Sequence, residues 1–145
     1  MEFDRDTSAG YLVNHMARLF ARQLEAGLRP HGLALGAFPA LLHLWDEDGL
    51  TQRELVTRLG IEQPTMAATL TRMERDGLIT RHIDATDARV QRIRLTDTAQ
   101  ALRAPAVAAA QKVNAAALRG LNPAEQAGFL ALIGKVIANL DAKPD

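Results

Sequence analysis

Residues 51–96 read TQRELVTRLGIEQPTMAATLTRMERDGLITRHIDATDARVQRIRLT, and this stretch decides the fold. Thr51 and Glu54 form a T-x-x-E capping box, in which the threonine oxygen accepts from a first-turn N–H and the glutamate reaches back to the cap, so a helix starts at 51 or 52. Leu55, Val56 and Leu59 give it an apolar stripe at helical period, and Gly60 is able to take a positive φ at its end. A second helix starts at Gln63-Pro64, because proline suits the first helical position, where no N–H is needed. Met66, Leu70 and Met73 share one face of this helix, and Gly77 provides its exit. The other face carries Thr65, Ala68, Thr69, Arg72 and Asp76. Such small and polar side chains let a helix sit deep in a major groove, and they equally suit an ordinary solvated face.

The residues after Gly77 favour the groove. Leu78 to Ile83 and Val90 to Leu95 are rich in β-branched residues and alternate apolar with polar, which predicts two strands. The six residues between them, Asp84 to Arg89, hold neither proline nor glycine, but Asp84, Thr86 and Asp87 are turn formers that bond their own backbone. A hairpin with a long arm results. At its tip Asp87 is placed to orient the Arg89 guanidinium, and an oriented arginine on a projecting arm suits a narrow minor groove. The alternative is a surface ion pair worth at most about 1 kcal/mol.

Two short helices, a tight turn and a hairpin make a winged helix-turn-helix. The run from Leu50 to Thr96 resembles the DNA-binding core of the MarR family of bacterial regulators. Gly60-Ile-Glu-Gln-Pro-Thr65, Asp76-Gly-Leu-Ile79 and Arg92-Ile-Arg-Leu-Thr96 look most like its SlyA branch. The resemblance implies that the wing arginine at Arg89 enters the minor groove. The family's other wing arginine is replaced here by Ala88, and Ala68 stands where the SlyA branch carries a base-reading arginine. The expected DNA-binding residues are Gln63 at the helix start, Pro64, Thr65 and Thr69 near bases, Arg72 near phosphate, and Asp87 holding Arg89.

The chain has 145 residues, enough for one domain with a real core, and 48% of them are apolar. It contains no cysteine, which excludes a disulfide framework, a thiolate zinc site and a thiol redox switch. No apolar run approaches the roughly 20 residues needed to span a bilayer, and MEFDRDTS at the N-terminus is too acidic for a signal peptide, so a cytoplasmic protein without membrane contact is expected. The formal net charge is zero, an unpromising sum for a nucleic-acid binder, but its distribution is uneven. Residues 1–50 set four arginines against seven carboxylates, whereas residues 51–94 set eight arginines against six. Arginine is the side chain suited to planar phosphate recognition.

The flanks read as helices. Thr7 or Ser8 caps one whose Leu12, Met16, Leu19, Phe20 and Leu24 form a stripe, ending at Gly27 and Arg29-Pro30-His31-Gly32. Leu35 to Trp45 reads as a core helix with Pro39 in its first turn. Trp45 reads as a packed aromatic, though an indole N–H also suits a ligand pocket. Thr96 caps an alanine-rich helix that Pro105 should kink or break near Arg103–Pro105 before it resumes to Arg119 and closes at Gly120. Asn122, Pro123 and Glu125 then mark a clear helix start, and Phe129, Leu130, Ile133, Val136, Ile137 and Leu140 form the face behind it.

The expected fold class is mostly α with a small β-hairpin wing (α+β): one MarR-type domain over 1–145, its winged helix-turn-helix at 35–96, flanked by dimerisation helices at 7–31 and 97–141. Terminal stripes of this size need a partner, and a second copy would place two reading helices about 34 Å apart, one turn of DNA. The expected partners are therefore double-stranded DNA bearing a pseudo-palindrome and a second copy of the chain. The resemblance further implies a small aromatic or phenolic effector where the terminal helices meet the winged core, with Met16, Phe20, His43 and Trp45 as candidate lining residues by position. His15, His31, His43 and His82 fall in different predicted elements without metal or catalytic spacing, and there is no glycine-rich phosphate loop. No cofactor, metal or enzyme chemistry is indicated. The competing classes are a winged module that binds protein and a small helical enzyme with an unrecognised site.

Overall fold

The computed structural model describes residues 2–142; Met1 and residues 143–145, which the expectation of one domain over 1–145 takes in, lie outside the described residues. Seven α-helices and two strands follow one another as α1 (Ala9–Leu28), α2 (Phe38–Asp46), α3 (Gln52–Leu59), α4 (Gln63–Arg75), β1 (Ile79–Ile83), β2 (Gln91–Leu95), α5 (Asp97–Ala101), α6 (Arg103–Ala117) and α7 (Pro123–Asp141) among the described residues. No helix among them is long and apolar enough to cross a membrane.

Ser8 is the cap of α1, its hydroxyl accepting from the Tyr11 N–H at 3.3 Å. The helix expected from Leu35 begins as a 3-10 turn at Leu35–Ala37 and becomes α-helical only at Phe38, which leaves Pro39 in the first turn. Thr51 caps α3 as expected, accepting from the Glu54 N–H at 3.1 Å. The second half of that box differs: the Glu54 carboxylate accepts from the Thr51 hydroxyl at 3.1 Å. The Thr51 backbone is bridged to Arg92.

The core is built by the middle of the chain. Leu41, Leu44, Leu55, Leu70, Ile79 and Ile93 are all buried to 1% exposure or less, which packs α2, α3 and α4 against the hairpin. β1 and β2 pair antiparallel, from Ile79 opposite Leu95 to Ile83 opposite Gln91. On the far edge of β2 the α2–α3 connection runs alongside: Gly49 N–H donates to the Ile93 carbonyl at 3.0 Å and Ile93 N–H to the Leu50 carbonyl at 2.8 Å. The Asp48 carboxylate also accepts from Leu95 N–H at 2.9 Å. β2 at the base of the wing is thus bonded on both edges, although only two strands are regular among the described residues. Gly49 sits at φ +80°, where a Cβ would lie 3.3 Å from the Arg94 guanidinium.

The break in the alanine-rich region falls at Leu102, just before the expected Arg103–Pro105. Pro105 has no N–H for the carbonyl four residues earlier, and that residue is Ala101, the last of α5. The proline therefore ends one helix and sits in the first turn of the next. Arg103 at the joint donates to the Trp45 carbonyl at 3.1 Å and pairs with Asp46 at 3.2 Å, fixing α6 to the end of α2. Gly120 closes the turn at φ +88°, and Asn122 and Glu125 form the reciprocal capping box of α7.

The terminal helices contrast with the core. Among the described residues, Leu28 is the only buried one of α1, and α7 has none. Leu12, Leu19, Leu130, Leu132, Val136 and Ile137 are exposed, and Leu140 is 82% exposed.

Candidate nucleic-acid interface

The apolar face of α4 is where the periodicity places it: Met66, Leu70 and Met73 are buried. Gln63, Pro64, Thr65 and Arg72 remain exposed on the other side of the helix. Thr69, expected beside the bases, is instead 8% exposed, and its hydroxyl accepts from Arg72 at 3.4 Å. It lies next to Leu70 on the helical surface, at the margin where the open face turns into the core, so its side chain meets protein. Thr71, further round, is engaged as well: its hydroxyl donates to the Ala67 carbonyl at 2.9 Å and accepts from Arg81 of β1 at 3.1 Å. Gln63 is oriented by a side-chain bond from Gln52 at 3.2 Å, which joins the starts of α3 and α4.

The wing loop covers residues 84–90, one longer than expected, because Val90 lies outside β2. Asp87 holds Arg89 with both carboxylate oxygens, at 3.1 Å to Nε and 3.2 Å to Nη2, and also accepts from the Arg89 N–H at 3.0 Å. The Arg89 side chain is 91% exposed, so its guanidinium is oriented without being covered. The guanidinium and the Arg89 N–H hold the Asp87 carboxyl below its ordinary value.

Sequence reasoning missed the pair beneath the tip. Asp84 accepts from Arg92 Nε at 2.5 Å with one oxygen, and with the other from the Thr86 N–H, the Thr86 hydroxyl and the Asp87 N–H. Arg92 donates onward to the Gly49 carbonyl at 2.9 Å. The adjacent guanidinium, followed by the Thr86 donors, pulls the Asp84 carboxyl far below the usual carboxylate range. Its signal in the sequence is the strand register, which sets His82 opposite Arg92 and so brings Arg92 beside residue 84.

These pieces surround one polar groove of about 640 Å³, lined by Gln52, Arg53 and Gln63 on the helical side and by Asp87, Arg89 and Gln91 on the wing. Arg53, which was not among the expected contacts, lies exposed at the start of α3 and adds a second guanidinium to the same groove. Arg72 does not line it. Two guanidiniums in one polar groove are the chemistry that an extended polyanion requires.

The expected effector residues separate. Met16 and Phe20 line an apolar groove of about 450 Å³ between α1, α6 and the start of α7. Phe20 also lines a groove of about 340 Å³ where α1 and α6 meet Leu35 and Pro39. Trp45 does not belong with them: it is buried, stands edge-on to Phe38, and donates its indole N–H to the Ala99 carbonyl at 3.0 Å. That bond and that packing make it a core aromatic. His43 is half-buried on α2 and lines neither groove.

Residues 31–90 match the model of the MarR family. Over these residues the winged core is similar to the MarR family. Solved structures share its fold over nearly the whole chain. BpsR of Bordetella bronchiseptica, whose DNA binding is regulated by 6-hydroxynicotinic acid, is 22% identical with a TM-score of 0.87, covering 99% of this chain and 100% of that one. The transcriptional regulator SlyA is 22% identical with a TM-score of 0.86, covering 92% of this chain and 94% of that one. A MarR-family regulator of Listeria monocytogenes, complexed with a 26mer DNA, is 23% identical with a TM-score of 0.85, covering 92% and 89%. At these identities the likeness is one of fold. That likeness of fold extends beyond the matched core to both flanking helical regions.

Proposed function

We propose that the protein is a cytoplasmic, homodimeric, sequence-specific DNA-binding transcriptional regulator, acting as a repressor on a pseudo-palindromic operator, with no enzymatic activity. The observation that carries this reading is the groove between the wing and the starts of α3 and α4, with an exposed, oriented Arg89 on one wall and Gln63 and Arg53 on the other. Pro64, Thr65 and Ala68 on α4 face the major groove, Arg72 and Arg53 serve phosphates, and Arg89 enters the minor groove. Residues 7–31 and 97–141 supply the dimer contact, a reading supported by the apolar side chains they leave open, among them Leu12, Leu19, Leu130, Val136 and Ile137. DNA in the Listeria relative and a pyridine carboxylate acting on the Bordetella relative support the same assignment here. A small aromatic acid would occupy the groove around Phe20, Leu35 and Pro39, where it touches both the dimer helices and the start of the winged core. Such a ligand acts by preferring one spacing of the two reading heads.

Enriching bound duplexes from a random pool and measuring one of them against Arg89→Ala tests the proposal. The expected result is a twofold-symmetric site and about a tenfold loss of affinity, the equivalent of one good groove contact. A pool that yields no preferred duplex, or an affinity indifferent to the substitution, overturns it.

A further inference from the structure

We propose that Asp84 is a positioning residue for the wing: by tying the tip loop through Arg92 to the Gly49 carbonyl, it fixes where Asp87 presents the Arg89 guanidinium. The inference rests on the reading of the wing as a DNA-contacting arm. A pair of five-residue strands is marginal by itself, and the loop they carry has no proline or glycine to stiffen it. Within that loop two backbone bonds close the turn, Asp84 N–H to the Val90 carbonyl and Val90 N–H to the Asp87 carbonyl. The Asp84 carboxylate adds four more, one to Arg92 and three to Thr86 and Asp87.

These bonds form one uninterrupted series. It starts at Gly49 in the α2–α3 connection, passes through Arg92 and Asp84 to the Asp87 N–H, and ends at the Asp87 carboxylate that grips Arg89. Surface ion pairs usually contribute little. This one differs because the Asp84 side chain is only 12% exposed and both of its oxygens are occupied by donors in fixed places. The consequence is preorganisation. An arm already ordered in the free protein loses less conformational freedom when Arg89 engages a duplex.

The test compares Asp84→Asn and Arg92→Leu in two backgrounds, native and Arg89→Ala, using a duplex enriched from a random pool. NMR order parameters for residues 84–90 and the Arg89 Nε–H signal are measured on the free protein, with the thermal melt as a control for folding. Either substitution should raise mobility across 84–90 while leaving the core's signals in place. Either should weaken the duplex roughly fivefold in the native background and not at all in the Arg89→Ala background. Unchanged order parameters overturn the proposal, as does an equal loss in both backgrounds. If the loop loosens but no duplex binds any of the proteins, the positioning role stands and the DNA reading falls.

Discussion

Helices α4 and α7 invert the relation between how clearly a helix begins and how firmly it is packed. The thirteen residues of α4 start without a side-chain cap, yet Met66, Leu70 and Met73 are all buried to 1% or less. The nineteen residues of α7 start from a complete Asn122–Glu125 capping box, yet none of them is buried within the chain. Capping sets where a helix begins. What it packs against is decided by its apolar face, and the face of α7 finds little to meet in its own chain. The winged core is finished internally, whereas the terminal helices leave apolar faces open, which the proposed second copy would cover.

The largest test of this contrast is Leu130→Glu together with Ile137→Glu. Two carboxylates on the open face of α7 should raise the dimer dissociation constant by more than about 100-fold, because a charge buried without a partner is strongly disfavoured. Sedimentation velocity should then report the 15.8 kDa of a single chain with the winged core still folded. A persistent dimer would place the interface elsewhere.

Next in size, Leu70→Ala should lower the unfolding free energy by about 3 kcal/mol, the usual cost of a cavity in a closed core. Leu140→Ala, measured by urea unfolding at concentrations where the chain is monomeric, should change it by less than about 0.5 kcal/mol. Similar costs at the two sites would erase the distinction between finished and unfinished regions.

The smallest effect expected is in pH. The Asp84 carboxyl is depressed in the folded chain, chiefly by the Arg92 guanidinium, so its contribution is present above the ordinary carboxylate pKa of about 3.9 and is lost as pH falls through the depressed value. Order in residues 84–90 should therefore hold unchanged from pH 7 to 5 and fail only below that ordinary range. Loosening centred at about pH 4, seen by NMR, would mean that the carboxyl titrates at its ordinary value and is not held low.

Local signals made most of the fold legible. Thr51, Gln63-Pro64, Thr96 and Asn122 each mark a helix start that the structure contains, and Pro105 marks the division between α5 and α6. The features that stayed hidden depended on partners far along the chain. Thr69 sits at a face margin where periodicity cannot decide between solvent and core. Trp45 finds its acceptor at Ala99, 54 residues away, and no local pattern announces that bond. The Asp84–Arg92 pair required the hairpin register, and the Gly49–Thr51 edge on β2 required knowing that a connecting segment returns to the sheet. At the interface itself, the Asp87–Arg89 contact was readable because both partners lie two residues apart, whereas Arg53 joins the groove only through the placement of α3.

The joint at Leu102 has a mechanical consequence. At 1.5 Å of rise per residue, the fifteen residues of α6 form a rod of roughly 22 Å, clamped at one end by Arg103 to the α2 terminus. Tilting that rod by about 10° at its clamp carries the far end through roughly 4 Å, close to the rise of a single base pair at about 3.4 Å. In the proposed dimer, a modest change of angle at one proline-marked seam would be enough to move a reading arm by about one base-pair step.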